Sequence, residues 1–259
     1  MGSPAYPDLP DWTDAAAYDW LLKVEQAGFA WEWLRRQPRF RDAALESVAR
    51  RTAGAFEDED RALAWGLHAF EDPRQAFPIA RPVWSSAKHD WVLAAHARIP
   101  KSGEDNFDLS DFPDFAKVVA IGGFERLLLS DGYRSIRLDL SGASLERIPV
   151  SLSYELSGLR SLDRPLLMLE RLRSLAISRR FVNSLYPPVR RARRLVQIMR
   201  ACDGLEAGAT QADLAEAILT PSIERPGWRI YSPSLRSKAQ RLAHAARRMT
   251  AGEYWELLG

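Results

Sequence analysis

The chain has 259 residues, 46% hydrophobic and 27% charged, which is enough for a sizeable core without staples and too apolar for wholesale disorder. Its one cysteine, Cys202, excludes an internal disulfide framework and fits a reducing compartment. The net charge of +2 conceals a division: residues 160–259 hold 18 Lys and Arg against 9 Asp and Glu, while residues 1–159 hold 18 against 25. A basic excess at one end points to a polyanionic partner there.

The opening Met-Gly-Ser-Pro-Ala-Tyr-Pro has neither a basic leader nor an apolar run, and Tyr6 spoils a myristoylation pattern. No stretch approaches membrane-spanning length. A cytoplasmic protein with no membrane partner is expected. Residues 11–45 then read as a small aromatic helical module. Asp11-Trp12-Thr-Asp caps a helix bearing Tyr18, Trp20, Leu21 and Leu22, a break is expected at Ala27-Gly28, and Phe29-Ala-Trp-Glu-Trp-Leu34 comes next, with Phe40 beginning a third piece. That is more aromatic surface than a short helix pair can bury within itself. Tyr18, Phe29, Trp31, Trp33 and Leu34 are therefore candidate contacts, either to the C-terminal unit or to a partner, with ordinary core as the plain alternative.

Glu57-Asp-Glu-Asp60 begins a short helix, acidic at the end that the helix dipole favours, with Leu63, Trp65, Leu67 and Phe70 making it apolar. Pro73, Pro78 and Pro82 break the next stretch into a connector. From about Trp84 to Gly158 the period changes to two. Strands are predicted at Trp91–His96, Lys117–Ile121, Arg126–Leu129, Ser135–Leu140 and Ser151–Leu156, with a hairpin turn at Ser130-Asp-Gly132. The sheet should be small and mostly antiparallel, its last two strands half exposed on their polar face. Pro165–Ile177 returns to helix and should cover the sheet or bridge to the basic C-terminal helices.

Residues 190–258 form the basic helical end. After Pro187-Pro188, Ala192, Leu195, Val196, Met199 and Leu205 share one helical face, Arg190, Arg191, Arg193, Arg194 and Arg200 the opposite one, and Gly204 and Gly208 mark the end. Cys202 lies beside the inner stripe and reads as a small buried hydrophobe. Thr210 with Asp213 has capping-box spacing and opens a second helix to Leu219, with Leu214, Ala215, Ile218 and Leu219 inside. Ser232-Pro233 opens a third, in which Leu235, Ala239, Leu242, Ala246 and Met249 point one way. Ser234, Ser237, Gln240, Arg241, His244 and Arg248 point the other way, flanked by Arg236, Lys238 and Arg247. This outer face holds basic and amide groups and no carboxylate, as a helix approaching phosphates and base edges requires. Thr250 with Glu253 begins a closing helix whose Tyr254, Trp255, Leu257 and Leu258 can cap the core.

Two short helices with the second basic match helix-turn-helix logic. An ordinary turn has about three or four residues; Thr220 to Tyr231 is far longer. It is either an extended turn or evidence against the motif, and the alternative is a three-helix bundle with a solvated basic face. No chemistry stands out elsewhere. His68, His89, His96 and His244 form no ligand set, Gly122-Gly123 is not a phosphate loop, residues 104–111 lack the pattern of a calcium loop, and no serine elbow is present. No cofactor, no metal and no enzyme are expected.

Two stretches resemble a known pair of domains. Tyr18-Asp-Trp-Leu with Phe29-Ala-Trp-Glu-Trp-Leu-Arg-Arg-Gln-Pro-Arg-Phe-Arg41 is similar to the N-terminal transcriptional regulator-like domain of proteobacteria. Ile136-Arg-Leu-Asp-Leu-Ser-Gly142, Leu185-Tyr-Pro-Pro188 and the blocks from Arg193 through Glu253-Tyr-Trp resemble its companion, an extended-turn helix-turn-helix variant. The pair occurs in FseA-like activators of integrative and conjugative elements, and a stand-alone acidic version of the second domain is the QseM-like antiactivator. The resemblance implies promoter binding by the basic face, and the basic C-terminal half favours the activator.

The expected protein is thus α+β: a helical module (residues 1–75), an antiparallel sheet with its covering helix (76–182) and a helix-turn-helix-like domain (183–259). It is expected to be a DNA-binding activator acting on double-stranded DNA. Arg193, Arg194, Gln211 and Arg229 would anchor phosphates, Ser234, Ser237, Lys238, Gln240 and Arg241 would reach the groove, and Arg248 would assist. Candidate protein partners are RNA polymerase and a small antiactivator. The alternative is an adaptor or antiactivator that captures another regulator through exposed tryptophans.

Overall fold

The computed structural model describes residues 9–52, 59–146, 148–159, 161–220 and 233–259. In chain order its α-helices are α1 (Gln26–Leu34), α2 (Pro38–Thr52), α3 (Glu59–Leu63), α4 (Asp163–Ser178), α5 (Ala192–Glu206), α6 (Gln211–Leu214) and α7 (Pro233–Thr250). The strands are β1 (Leu93–Arg98), β2 (Ala116–Ile121), β3 (Phe124–Ser130), β4 (Ser135–Gly142) and β5 (Ser151–Glu155). The chain is α+β and divides into two compact units. One draws on Met1–Gln37 and Pro188–Leu257, the other on Pro38–Pro187 with Leu258–Gly259.

The second unit is built on a five-stranded sheet of order β2-β3-β4-β1-β5, in which only the β1–β4 pair is parallel. Alternation explains its layering. Leu127 and Leu129 of β3 and Ile136, Leu138 and Leu140 of β4 all project to one face, where Met168, Leu172 and Leu175 of α4 cover them. The β3–β4 turn forms where expected. Asp131 accepts the N–H groups of Tyr133 (3.0 Å) and Arg134 (2.9 Å), and Gly132 has a positive φ with Pro78 packed against it, leaving no room for a Cβ.

Of the half-exposed polar face expected of β4, Ser135, Asp139 and Ser141 are half-buried, and Arg137 is the correction. Arg137 is buried and ion-paired to Asp139 at 2.7 Å, which offsets the loss of its water. Burial pushes the Arg137 guanidinium down to about 10 against the pull of Asp139. His89 and the N–H of Asp90 both bond to the carbonyl of Leu258, which groups with the sheet unit and has a fully buried side chain.

The helical unit departs from expectation in two breaks. Its first element is a 3-10 helix, Ala16–Lys23, and the interruption before α1 falls at Val24 and Glu25; Ala27 and Gly28 lie inside α1. Gly204 does not end α5 either. The helix continues to Glu206, and a Cβ at Gly204 would meet Leu214 and the Trp12 ring at 2.9 Å, so this glycine serves close packing. Gly208, at φ +84°, makes the left-handed turn beyond, and the N–H of Ala209 returns to the carbonyl of Gly204 (2.8 Å). The predicted helix start at Glu57 lies outside the described residues; α3 is described from Glu59. Among the described residues no helix is long and apolar enough to cross a membrane.

Candidate nucleic-acid interface

The surface is assembled from three elements of the helical unit. Helix α5 presents Val196 and Met199 inward and packs on α7. Helix α6 opens on the Thr210–Asp213 capping box, with both reciprocal bonds formed: Asp213 N–H to the Thr210 hydroxyl at 3.3 Å and Thr210 N–H to Asp213 Oδ2 at 2.8 Å. It runs into a π turn, Ala215–Leu219, and places Leu214 and Ala215 fully inside. A small residue at position 215 lets α7 cross close by, with Ala239 of α7 packed in the same cluster.

Helix α7 is amphipathic in the sense that the sequence predicts. Ala239, Leu242, Ala243, Ala246 and Met249 are buried, while Ser234, Arg236, Lys238, Gln240, Arg241, His244, Arg247 and Arg248 are exposed and Ser237 is half-buried. Its 18 residues contain no carboxylate. Arg236, Lys238, Arg241 and Arg247 have no ion-pair partner among the described residues, whereas Arg248 is tied to Glu253 at 3.1 Å. Four cations without neutralising acids along one helix make a strongly positive strip. A helix with its side chains is about 10–12 Å across, close to the width of the B-DNA major groove.

On α5, Arg193 is exposed and Arg194 half-buried, its guanidinium bonded to Gln197 at 3.3 Å. Burial first, and then the neighbouring charge of Arg241, hold Arg194 below its usual value. Arg194 on α5 thus lies within electrostatic reach of Arg241 on α7. Gln211 is half-buried at the first position of α6. Arg229, and the Thr220–Tyr231 connection beyond Thr220, lie outside the described residues. Arg200, expected on the outer arginine face, is a correction: it is buried and bonds the carbonyls of Trp12 (2.9 Å), Thr13 (2.8 Å) and Ala217 (3.0 Å). An arginine can end inside a helical unit when three carbonyls replace its water.

The aromatic module is likewise interior. Tyr18, Phe29, Trp31 and Leu34 are 0% exposed and Trp33 1%, and α1 packs against α7 and the closing 3-10 helix Glu253–Leu257. The exposed tryptophans that the adaptor reading required are therefore corrected: neither indole is at the surface. Sequence reasoning passed over the group beside them. Arg36 spans Asp203 (Nε to Oδ1, 2.7 Å; Nη2 to Oδ2, 3.0 Å) and Glu32 (Nη1 to Oε2, 2.6 Å), Arg35 also donates to Glu32 (2.8 Å), and the Tyr18 hydroxyl donates to Asp203 at 2.6 Å. Two arginines and two carboxylates cancel, so the network is neutral. Burial opposes the charge on Arg36, but Asp203 and Glu32 hold it well above its usual value. The only sequence signal was the spacing of Glu32 to Arg35 and Arg36 along one helical face. Cys202 is buried beside Thr250 (3.4 Å), and burial pushes its thiol up to about 11, as an inert core residue requires.

Two family models match. Residues 159–259 match one described as "T6SS, Transcription factor, DNA binding domain", and residues 11–68 match "Proteobacterial transcriptional regulator-like domain". Each spans less than half of the chain, and both matched segments contribute to the helical unit. Together they support a DNA-binding transcriptional regulator. No curated relative and no solved structure matches the chain.

Proposed function

We propose that the chain is a promoter-binding activator that lays the outer face of α7 in the major groove of double-stranded DNA. The observation that carries this is the strip itself: exposed cations and the Gln240 amide along an 18-residue helix with no carboxylate, backed by the buried Ala239, Leu242, Ala243, Ala246 and Met249. Lys238, Gln240, Arg241, Ser234 and Ser237 would meet base edges and near phosphates. Arg193, Arg194 and Gln211 would hold the flanking backbone, with Arg229 contributing from the preceding connection. Arg248 is the weakest member, because a phosphate must displace Glu253 to reach it.

The basic C-terminal half and the resemblance to FseA-like proteins support activation over antiactivation, and transfer genes of a mobile element as the target. RNA polymerase and a small antiactivator are the protein partners that such an activator would meet. Replacing Lys238 and Arg241 with alanine tests the interface, with binding to a promoter fragment followed by fluorescence anisotropy across a salt series. Affinity should fall about 10- to 100-fold and the salt slope flatten by about 1 to 2. Unchanged affinity and slope would refute the assignment.

A further inference from the structure

The sheet unit carries a second surface, unrelated to the basic helix. Strand β5 is an edge, paired only with β1. Which of its backbone groups face outward is set by the register. Ala97 accepts a bond from Ala143 N–H (2.8 Å) beyond β4, so its neighbours His96 and Arg98 face β5. Their partners Ser153 and Ser151 therefore face β1, and Val150, Leu152 and Tyr154 face away. Phe107 confirms the direction: it exchanges both backbone bonds with Val150 on that outer side, at 2.7 and 2.9 Å. Beyond it, the N–H and C=O groups of Leu152 and Tyr154 have no partner among the described residues. The strand has no proline, lysine or bulge to blunt the edge.

Beside this edge the 104–111 loop swings away and opens a groove of about 680 Å³ between β5 and α4. Its apolar floor is formed by Phe107, Phe112, Leu152, Leu172 and Ala176, with Tyr154 and Ile177 standing exposed at its rim. The charges in the wall are unequal. Arg98 is used by Glu104, Arg179 by Asp111 and Arg173 by Glu170, at 2.7, 2.7 and 2.8 Å. Asp108 caps Ser110 (N–H to Oδ1, 2.9 Å) and is drawn on by Arg179, while the exposed Asp105 has no cation among the described residues within ion-pair distance. A second copy of β5 would bring Glu155 and no cation, so the charge disfavours self-pairing.

We propose that the β5 edge and its groove receive an extended peptide segment of a partner protein in which every second residue is apolar and the end nearest the 104–111 loop carries lysine or arginine. The segment would add as a sixth strand, its backbone bonding Leu152 and Tyr154, its alternate apolar side chains entering the groove and its terminal cation meeting Asp105 beside Asp108. Strand addition supplies affinity through the main chain, and the carboxylates select the sign of the partner.

The test pans a random heptapeptide display library on the full chain and titrates the enriched peptides, fluorescently labelled, against wild type, Asp105→Lys and Tyr154→Pro. Proline at position 154 removes an N–H that serves no ladder bond, so the sheet is retained while the edge is blocked. Peptides with an apolar residue at every second position and a basic end should emerge, bind about tenfold or more weakly to each variant, and slow hydrogen exchange at Leu152 and Tyr154. Should Tyr154→Pro fail to fold, Asp105→Lys, a change at an exposed side chain, decides alone. No enrichment, acidic peptides, or binding indifferent to Asp105→Lys would overturn the proposal. So would concentration-dependent self-association that the variants abolish.

Discussion

The helical unit uses arginine in two opposite ways. Inside, Arg36 is fully enclosed and every charge near it is matched by Asp203, Glu32 and Arg35; Arg200 is enclosed by carbonyls. Outside, Arg236, Lys238, Arg241 and Arg247 project from α7 with no acid opposite. The first set ties α1 to α5, residues 167 positions apart, and is silent toward solvent. The second stabilises nothing visible and leaves a field that only an external anion can neutralise. Equal residue types thus divide into scaffold and interface according to whether their counter-charges lie within the fold.

That contrast can be broken from the inside first. Arg36→Met leaves Asp203 and Glu32 buried without their shared cation, and roughly 3–5 kcal/mol of stability should be lost in denaturant unfolding. A loss under about 1 kcal/mol would mean that the network is not structural. Arg36→Met with Asp203→Leu should recover much of the loss, since an apolar pair of matching volume needs no counter-charge.

His89 sharpens the comparison in the sheet unit, where a buried group has been left neutral. Burial pushes its imidazole from 6.5 down to about 4, with Nδ1 on the Leu258 carbonyl at 3.0 Å. Between these values the unfolded chain takes up a proton that the folded chain refuses. The contribution is therefore whole above about pH 6.5 and declines as pH falls toward 4, by roughly 3 kcal/mol in all. Unfolding curves at stepped pH should show this slope, and His89→Gln should flatten it.

The smallest effect belongs to the helix that orients the basic strip. Thr210→Ala removes one half of the capping box and should cost about 1 kcal/mol in thermal or denaturant unfolding. DNA affinity should change less than in any variant of α7 itself, because Thr210 sits on the support and not on the strip.

Much of this was legible before any coordinates. Alternation from Ser135 to Leu140, the Ser130-Asp-Gly132 turn, the Thr210–Asp213 box and the α7 stripe are local patterns, and local patterns survive folding when tertiary contacts agree with them. Arg200 and Asp203 were not legible. Periodicity assigns a side chain to a helical face but does not say what will cover that face, and their partners lie far away in the chain. The Trp31 and Trp33 surplus was legible as excess apolar surface; its destination was not, because the elements that bury it come from the far end of the sequence. Charge and period alone mark α7 as the candidate interface, but they carry no sign of the ion pair that occupies Arg248.

The most direct test attaches a DNA-cleaving iron chelate to α7 through Gln240→Cys. Cys202 is buried with its thiol pushed up to about 11, so the new cysteine is the one that reacts. With α7 in the groove, strand scission should concentrate on a few adjacent base pairs inside the protected site, in the offset typical of the major groove. Intact binding with no cleavage, or with cleavage spread evenly along the fragment, would contradict the account.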